Sequence, residues 1–338
     1  MNRKIQIVNL LFLIFVACRG NPTSPSLEVR EHILPGYFVT AMARDSKGTL
    51  WLGTFRQGLV KYDGKATVYN SKNSPLPDSL HVQDIAIDHN DEIWFSASIG
   101  LIHFDRKNFT IFNTTNSPLT YDKIRSIAID KNNVIWMAAP NINLGCLATF
   151  DGKNWQVFTP ENSMLPAKVI RDIVIDNRNN VWAAMNGTVT STCLLKISGN
   201  AWKIYDQTEI GFTPYYWGNL AVDSHDNLYA SIDYMLSSLY DTSRPGLVKF
   251  DGQKWTVRTP LNEYGESLGY VNSVDVDWSG NIWTSVMGEG HIILAIFDGE
   301  HWIRHPVKME LAGRTPIIFD GSNYAWVGTA NGVYVFER

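Results

Sequence analysis

The sequence is poor in charge and lacks the short motifs of the common enzyme classes. Charged residues make up 18% of the 338 residues and the formal net charge is −4, which disfavours nucleic-acid binding because a protein needs a basic face to hold phosphates. No HExxH, P-loop, GxSxG or CxxC pattern is present, so the mechanisms that depend on those motifs have no support. The apolar positions also lack helical periodicity, which argues against a helical fold.

A long apolar run is missing as well. The run near the start extends only from Ile7 to Ala17, behind Arg3 and Lys4, whereas a membrane-spanning helix needs roughly 20 residues. A short apolar run behind basic residues is typical of an export signal that is later removed. The sequence therefore predicts a signal peptide over residues 1–17 and an exported mature protein.

The end of this run, Phe15-Val16-Ala17-Cys18, resembles the lipobox of bacterial lipoproteins. The resemblance implies that Cys18 becomes the lipid-bearing first residue, and Arg19 after it implies the outer membrane of a bacterial cell envelope. A plain secretory signal followed by a chance cysteine is the alternative. Residues 18–26 are rich in Gly, Pro, Ser and Thr, which predicts a flexible tether.

What the sequence has in abundance is self-similarity. Seven times an aspartate is followed six residues later by an aromatic residue, and successive aromatics are 42 to 54 residues apart. These aromatics are Trp51, Trp94, Trp136, Trp182, Tyr229, Trp283 and Trp326. Repetition at such a period is characteristic of stacked supersecondary units.

Each repeat has the pattern of four short strands. In the second repeat, β-rich segments at Val82 to Asp88, Glu92 to Ser96, Leu101 to Phe104 and Phe109 to Phe112 are separated by turn residues. Four antiparallel strands in about 43 residues is typical of a propeller blade. The predicted fold is all-β, a seven-bladed β-propeller over residues 27–338.

The two ends of the chain complement each other. The last repeat stops after its third strand, Val333 to Phe336, whereas Leu27 to Pro35 resembles the fourth strand and following loop of other repeats. We therefore expect the N-terminal segment to complete blade 7. Closing the ring in this way removes exposed strand edges.

Two cysteines, Cys146 and Cys193, remain in the predicted mature chain. Export would permit a disulfide. They occupy nearly equivalent positions of adjacent repeats, however, and in radial blades that separation exceeds the ~7 Å that a bridge allows between Cα atoms. We expect two free, buried thiols.

The motifs Asp45 to Leu59 (DSKGTLWLGTFRQGL) and Asp320 to Val333 resemble the two-component regulator propeller repeats found in extracytoplasmic sensor regions of bacterial hybrid histidine kinases. The resemblance implies a ligand-binding or interaction propeller. The chain departs from the large sensors because it has no kinase or receiver segment, so we expect it to be sensor-like without signalling on its own.

The loops predict which face binds a ligand. The loops between second and third strands lengthen in blades 3 to 5, and with the loops that lead to the next blade they share one face, rich in aromatic residues. The predicted ligand-binding residues there are Tyr215, Tyr216, Trp217, Tyr234, Tyr240, Arg244, Phe55 and Arg56. Some of these rings could instead plug the junctions between blades.

A second candidate is a ring at the mouth of the central channel, ten residues before each repeat aromatic. It consists of Ala41, Asp84, Ser126, Asp172, Asn219, Ser273 and Pro316. Polar residues at the start of buried strands, above all Asp84, Asp172 and Asn219, could surround a cation, water or polar ligand. They could equally bond neighbouring loop amides.

We expect a partner that is a glycan, a peptide or a protein, with the membrane contacted only through the lipid anchor and no nucleic acid. The first alternative is a metal-dependent lyase, because streptogramin lyase is a propeller with similar repeats and Glu289 and His291 could supply a carboxylate and a base. The second is a scaffold in an envelope complex. No organic cofactor is predicted, and a divalent cation is an open possibility.

Overall fold

The computed structural model describes residues 28–140, 145–166, 169–187, 192–211, 216–232, 246–258, 270–288, 291–309, 315–321 and 323–337. Seven four-stranded antiparallel sheets make up this part of the chain, and each predicted repeat contributes one of them. The predicted seven-bladed, all-β propeller is therefore confirmed. One short helix is described, α1 (Gln207–Ile210), and no described helix has the length and hydropathy to cross a membrane.

Within each of blades 1 to 6 the four strands pair in chain order, from the innermost to the outermost strand. Blades 1 and 2 contain β2 (Val39–Arg44), β3 (Leu50–Thr54), β4 (Leu59–Tyr62), β5 (Ala66–Tyr69), β6 (Val82–Ile87), β7 (Ile93–Ala97), β8 (Gly100–Phe104) and β9 (Phe109–Phe112). Blades 3 and 4 contain β10 (Ser126–Ile129), β11 (Ile135–Pro140), β12 (Gly145–Phe150), β13 (Trp155–Phe158), β14 (Val169–Ile175), β15 (Val181–Asn186), β16 (Cys193–Ser198) and β17 (Ala201–Tyr205). Blades 5 and 6 contain β18 (Trp217–Val222), β19 (Leu228–Ile232), β20 (Leu247–Phe250), β21 (Trp255–Arg258), β22 (Tyr270–Val276), β23 (Ile282–Gly288), β24 (His291–Phe297) and β25 (Trp302–Met309).

Blade 7 is built from both ends of the described chain. Strands β26 (Ile317–Phe319), β27 (Tyr324–Thr329) and β28 (Gly332–Glu337) form its inner part, and β1 (Glu28–Ile33) pairs with β28 as the outer strand. The predicted closure by the N-terminal segment is confirmed. An ion pair between Arg30 and Glu337 lies beside this ladder.

The repeated aspartate and aromatic residue form one hydrogen-bonded unit in every blade. In blade 1, Asp45 Oδ1 accepts the amides of Lys47 and Thr49, while Oδ2 accepts the indole N–H of Trp51 at 3.1 Å. In blade 5 the hydroxyl of Tyr229 replaces the indole and donates to Asp223 at 3.2 Å. The carboxylate therefore fixes the turn between the first and second strands and orients the ring that packs between blades.

Small residues follow the repeat aromatic because the next blade packs there. At the second position after it the seven blades have Gly53, Ser96, Ala138, Ala184, Ser231, Ser285 and Gly328. A Cβ atom added to Gly53 would lie 2.5 Å from a methyl carbon of Val82 in blade 2. The core thus consists of apolar clusters at the blade junctions; in one of them Trp51 packs edge-on against Phe104 of the neighbouring blade.

A second contact joins neighbouring blades on the face that carries these aspartate turns, which we call the turn face. Asp91, Asn133, Asn179 and Asp226 adopt positive φ, and each accepts a backbone N–H from the preceding blade's turn through its side chain. Blade 6 has Gly280 at this position, which keeps the conformation but lacks the acceptor. Cys146 and Cys193 are both buried and free of disulfides, as expected.

Candidate functional site

The long loops carry many of the predicted binding residues, and several of these lie outside the described residues. This applies to Tyr215, Tyr234, Tyr240, Arg244 and Glu289, to the side chain of His291 and to the predicted lipid-bearing Cys18. The described site residues are Phe55, Arg56, Asp84, Asp172, Tyr216, Trp217 and Asn219. They fall into a rim on the face that carries the long loops, the central channel, and one core position.

Trp217 is the core position. Its side chain has no exposed surface and packs at the junction of blades 4 and 5, in the cluster with Trp182 and Phe250. Its backbone is held on both sides by Asn186, which accepts the Trp217 amide at 2.7 Å and donates to its carbonyl at 2.8 Å. A fully buried ring cannot meet a ligand from outside without rearrangement, so we treat Trp217 as a junction plug, the structural role that the sequence left open for these rings. Tyr216 beside it is partly exposed.

Phe55 and Arg56 form the described rim, together with two residues from neighbouring segments. The Phe55 ring lies 5.4 Å from Phe38 and 4.8 Å from His81, and the Arg56 guanidinium carbon lies 4.9 Å above it. Backbone bonds pin this loop on two sides, from Phe55 N to Phe38 O and from Arg56 N to Leu80 O. The loop is therefore pre-organised even though it lies at the surface.

Arg56 has a backbone conformation that is unusual for its residue type. Its φ is +69°, in the left-handed region that normally favours glycine, and its side chain is exposed. Strained positions of this kind concentrate at functional sites. His81 was not predicted from the sequence as a binding residue. Its position just before an innermost strand places it on the same face as the long loops and could have indicated it.

Burial and two nearby positive charges act on His81. Burial lowers the pKa of the His81 imidazole, and the charges of Lys123 and Arg56 lower it further. The imidazole is therefore neutral near pH 7 and adds a hydrogen-bonding group to the rim without adding charge. Together, Phe38, Phe55, Arg56 and His81 make a surface that combines ring edges, a cation and an imidazole, which we call the aromatic rim.

The central channel contains a cavity of about 300 Å³. The innermost strands of all seven blades line it, and six of the seven predicted ring positions are among the lining residues: Ala41, Asp84, Asp172, Asn219, Ser273 and Pro316. Ser126, the seventh, is buried between two of them. The structure thus brings together residues that are far apart in sequence.

Polar contacts run from blade to blade around one side of this channel. Ser126 Oγ lies 3.0 Å from Asp84 Oδ2 and 2.9 Å from Asp172 Oδ1, while Asp172 Oδ2 accepts the side-chain amide of Asn219 at 3.3 Å. The same carboxylates accept backbone amides of the next blade, from Ile127 and Leu220. The ring therefore lines a cavity and also bonds backbone amides of neighbouring blades, and whether it binds a ligand stays a prediction.

Local irregularity in the inner strands accompanies the ring. The pairing register shifts immediately before Ala41, Asp84, Asp172 and Ser273, and around Asn219. A β-bulge redirects the side chains that follow it and is over-represented beside functional sites. The sequence alone does not reveal these bulges, because an inserted residue leaves no turn signal.

The two histidines of blade 6 whose side chains the structure describes, His301 and His305, lie in different environments. His301 is exposed in the turn before β25, and its amide is held by Asp298 on the turn face. His305 is buried in β25 against Phe336, and burial lowers its pKa. Neither residue lines the channel cavity.

Comparisons with known proteins agree with the fold. Residues 33–56 match the family model described as Two component regulator propeller, which confirms the resemblance predicted from the repeats. No curated protein matches the sequence.

Solved structures cover far more of the chain than the family model does. The extracellular domain of BT4673 from B. thetaiotaomicron, described as a one-component system, superimposes with a TM-score of 0.66 at 15% identity, over 92% of this chain and 40% of that one. A catalytically inactive virginiamycin B lyase from Staphylococcus aureus, solved with quinupristin, has a TM-score of 0.69 at 13% identity. The match covers 92% of this chain and 99% of the lyase chain. YCF48 bound to D1 peptide has a TM-score of 0.65 at 12% identity, over 93% of this chain and 97% of the YCF48 chain. At these identities the similarity establishes the fold, and this chain spans about two fifths of the BT4673 domain.

Proposed function

We propose that this protein is an exported, lipid-anchored propeller that binds the end of a glycan or peptide on its loop-rich face, with the ligand entering the central channel. Its role is sensor-like. The observation that carries the proposal is the cavity in the central channel, where Asp84, Ser126, Asp172 and Asn219 line or adjoin about 300 Å³ of space.

The shape of the cavity favours one chain end over a broad protein surface. Ligand pockets of this kind are concave and have a few polar groups that fix orientation. A volume of about 300 Å³ holds one or two sugar or amino-acid units. We expect the rim with Phe55 and Arg56, on the same face, to contact the part of the ligand that stays outside. YCF48 provides a precedent, because it is a propeller that has been solved with a bound peptide.

The direction of β1 supports a lipid anchor on the opposite side. β1 begins at Glu28, paired with Glu337, and ends at Ile33, paired with Val333 beside the loop that joins β27 to β28. The strand therefore enters the ring from the turn face. A tether from Cys18 would leave the loop-rich face directed away from the membrane and open to ligands.

Binding is tested by screening the full chain against glycan and peptide arrays and measuring hits by calorimetry. Arg56→Ala should weaken the binding of a hit at least tenfold, since a cation at a rim contact is lost. Asp172→Asn should also weaken the binding of a hit at least tenfold, since a carboxylate that lines the channel cavity is lost. His89→Asn is the matched control, because His89 is exposed on the turn face. If both site variants bound the hit as tightly as the wild type, the ligand would not bind at the rim and channel.

Lipidation is tested separately by palmitate labelling in a bacterial host that processes lipoproteins. The wild-type chain should be labelled and Cys18→Ser should not be, while ligand affinity should be the same in both. Label retained in the Cys18→Ser chain would exclude an anchor at this residue.

A metal-dependent lyase of the streptogramin or polysaccharide type is the second candidate. One observation favours it, the full-length similarity to virginiamycin B lyase, which was solved with quinupristin. Incubating the chain with quinupristin and Mg²⁺, or with uronate polysaccharides, and following the products by mass spectrometry tests this candidate. Turnover abolished by Glu289→Gln and His291→Ala would establish it in place of simple binding.

A further inference from the structure

The aspartate turn of blade 2 differs from the other turns in two positions that touch each other. Four residues after the repeat aspartate, blades 4, 5 and 6 carry Asn180, Asn227 and Asn281, and each amide donates to the aspartate Oδ2 at 2.6 to 3.0 Å. Blade 2 has Glu92 there. An ionised carboxylate has no hydrogen to donate, so blade 2 has a second negative group beside Asp88 where blades 4 to 6 have an amide donor.

The second difference lies on the adjacent strand. Opposite the repeat aromatic, blades 4 and 5 place Lys196 and Lys249, whose ammonium groups lie 4.8 and 5.5 Å from the ring centres. Blade 2 has His103 opposite Trp94. The imidazole stacks on the indole with centroids 4.1 Å apart and planes 13° apart, and its Nε2 lies 2.7 Å from Glu92 Oε2.

Asp88 completes a set of three candidate ligands. One donor atom each from Asp88, Glu92 and His103 lies within 4.8 Å of the others. Asp88 is held in place, because its Oδ1 accepts the amides of Asn90 and Glu92 and its Oδ2 accepts the Trp94 indole at 3.1 Å. A carboxylate oxygen has two lone pairs, so Oδ2 can still bind one further partner.

We propose that Asp88, Glu92 and His103 bind a divalent transition-metal ion, of which Zn²⁺ is the best fit, at the turn face of blade 2. One imidazole nitrogen and two carboxylate oxygens suit zinc at bond lengths of about 2.0 to 2.2 Å, and shifts of about 1 Å bring the three atoms to that geometry. The hard cations Ca²⁺ and Mg²⁺ prefer sites made only of oxygen. Water completes the coordination, since Glu92 and His103 are partly exposed.

The ion accounts for the substitution that distinguishes this turn. It supplies positive charge between two carboxylates where blades 4 to 6 supply an amide. Arg106, in the turn between the third and fourth strands of the same blade, is already paired with Asp45 and Asp91. The site lies on the opposite face from the aromatic rim, so it is independent of the proposed ligand and can serve a different purpose, such as stabilising this blade.

The chain itself offers the matched variants. Glu92→Asn recreates the turn of blades 4 to 6, and His103→Lys recreates the strand position of blades 4 and 5, so both are expected to fold. His89→Asn, one residue after Asp88 but pointing to solvent, is the control. Zn²⁺ binding to the chelator-treated full chain is measured by calorimetry, with Mg²⁺ as the comparison ion, and thermal unfolding is followed with and without Zn²⁺.

The wild type and His89→Asn should bind one Zn²⁺ in preference to Mg²⁺ and unfold at a higher temperature in its presence. Glu92→Asn and His103→Lys should each bind Zn²⁺ at least about tenfold more weakly and lose the thermal shift. In chelator, Glu92→Asn should be at least as stable as the wild type. The proposal is overturned if the wild type binds no Zn²⁺, if both variants bind it as the wild type does, or if Mg²⁺ binds equally well.

Discussion

The hydroxyl of Tyr229 donates to Oδ2 of Asp223 across 3.2 Å, in the place where the other six blades use an indole N–H. The exchange shows that the repeat requires a hydrogen-bond donor at the tip of an aromatic ring six residues after the aspartate. Both residues are buried, the phenol at 3% exposure, and the carboxylate also accepts two backbone amides and the Asn227 amide. Here the donor can be removed by deleting one atom.

Tyr229→Phe should therefore lower the free energy of unfolding by about 1–2 kcal/mol near neutral pH, because it removes one bond to a charged, buried acceptor. Burial raises the pKa of the Tyr229 phenol above its ordinary 10.0, and the charge of Asp223 and the bond to it raise it further. The phenol thus stays neutral in the fold, and its contribution is fully present below pH 10 and lost as the pH rises further. Denaturant unfolding of both proteins from pH 7 to 11 measures this; a stability gap that grows above pH 10 would contradict it.

Side chains in the left-handed turn position should set the strength of individual blade junctions. Asn133→Gly removes the acceptor for the His89 amide at 3.0 Å and should cost about 0.5–1.5 kcal/mol. Gly280→Asn should add up to about 1 kcal/mol, because asparagine tolerates positive φ, an added Cβ meets nothing within 4 Å, and the new side chain can accept the Ser224 amide. Chemical denaturation measures whether the free energy of unfolding falls in Asn133→Gly and rises in Gly280→Asn. If Asn133→Gly stabilised the protein, or if neither variant changed its stability, the side-chain bond between neighbouring turns would not contribute to stability.

Trp217 and Phe55 should respond differently to truncation. Trp217→Ala empties a junction with no exposed surface and should cost about 3–5 kcal/mol. Phe55→Ala lies at a partly exposed rim and should cost less than about 1 kcal/mol while weakening ligand binding. Thermal unfolding together with calorimetry on a ligand found by screening separates the two roles. Equal thermal losses would mean that the rim is part of the core.

The hydroxyl of Ser126 should couple the two channel carboxylates. Its single hydrogen can serve only one at a time, Asp84 at 3.0 Å or Asp172 at 2.9 Å. Ser126→Ala removes that donor and should cost about 1–3 kcal/mol, and a double-mutant cycle with Asp84→Asn should give a coupling energy of about 0.5–3 kcal/mol. Strict additivity would mean that the two side chains do not interact.

The sequence predicted most of the fold because the defining contacts are local. Asp45 and Trp51 are six residues apart, and the same pair recurs in each repeat, so strand order and blade count could be read by comparison. Closure of the ring could be predicted because the last repeat lacks a fourth strand and the N-terminal segment resembles one. These predictions required no knowledge of how one blade is placed against the next.

The site was less predictable because its contacts cross blades. Asp84, Ser126 and Asp172 were identified by type and position, but their hydrogen bonds depend on the angle between blades and on bulges that redirect the side chains. For Tyr216 and Trp217, adjacency in sequence did not reveal which ring turns inward. Aligning the seven turns shows Glu92 where blades 4 to 6 have asparagine, whereas the contact of Glu92 with His103 requires the strand register.

β1 closes the ring with the residues nearest to the proposed anchor, and this has a mechanical consequence. Tension applied through the tether reaches the propeller first at the ladder between Glu28–Ile33 and Gly332–Glu337. The load acts along the strand, so the hydrogen bonds of that ladder resist it together instead of opening one by one. A force on the proposed anchor would therefore load the β1–β28 ladder before it reaches any other blade.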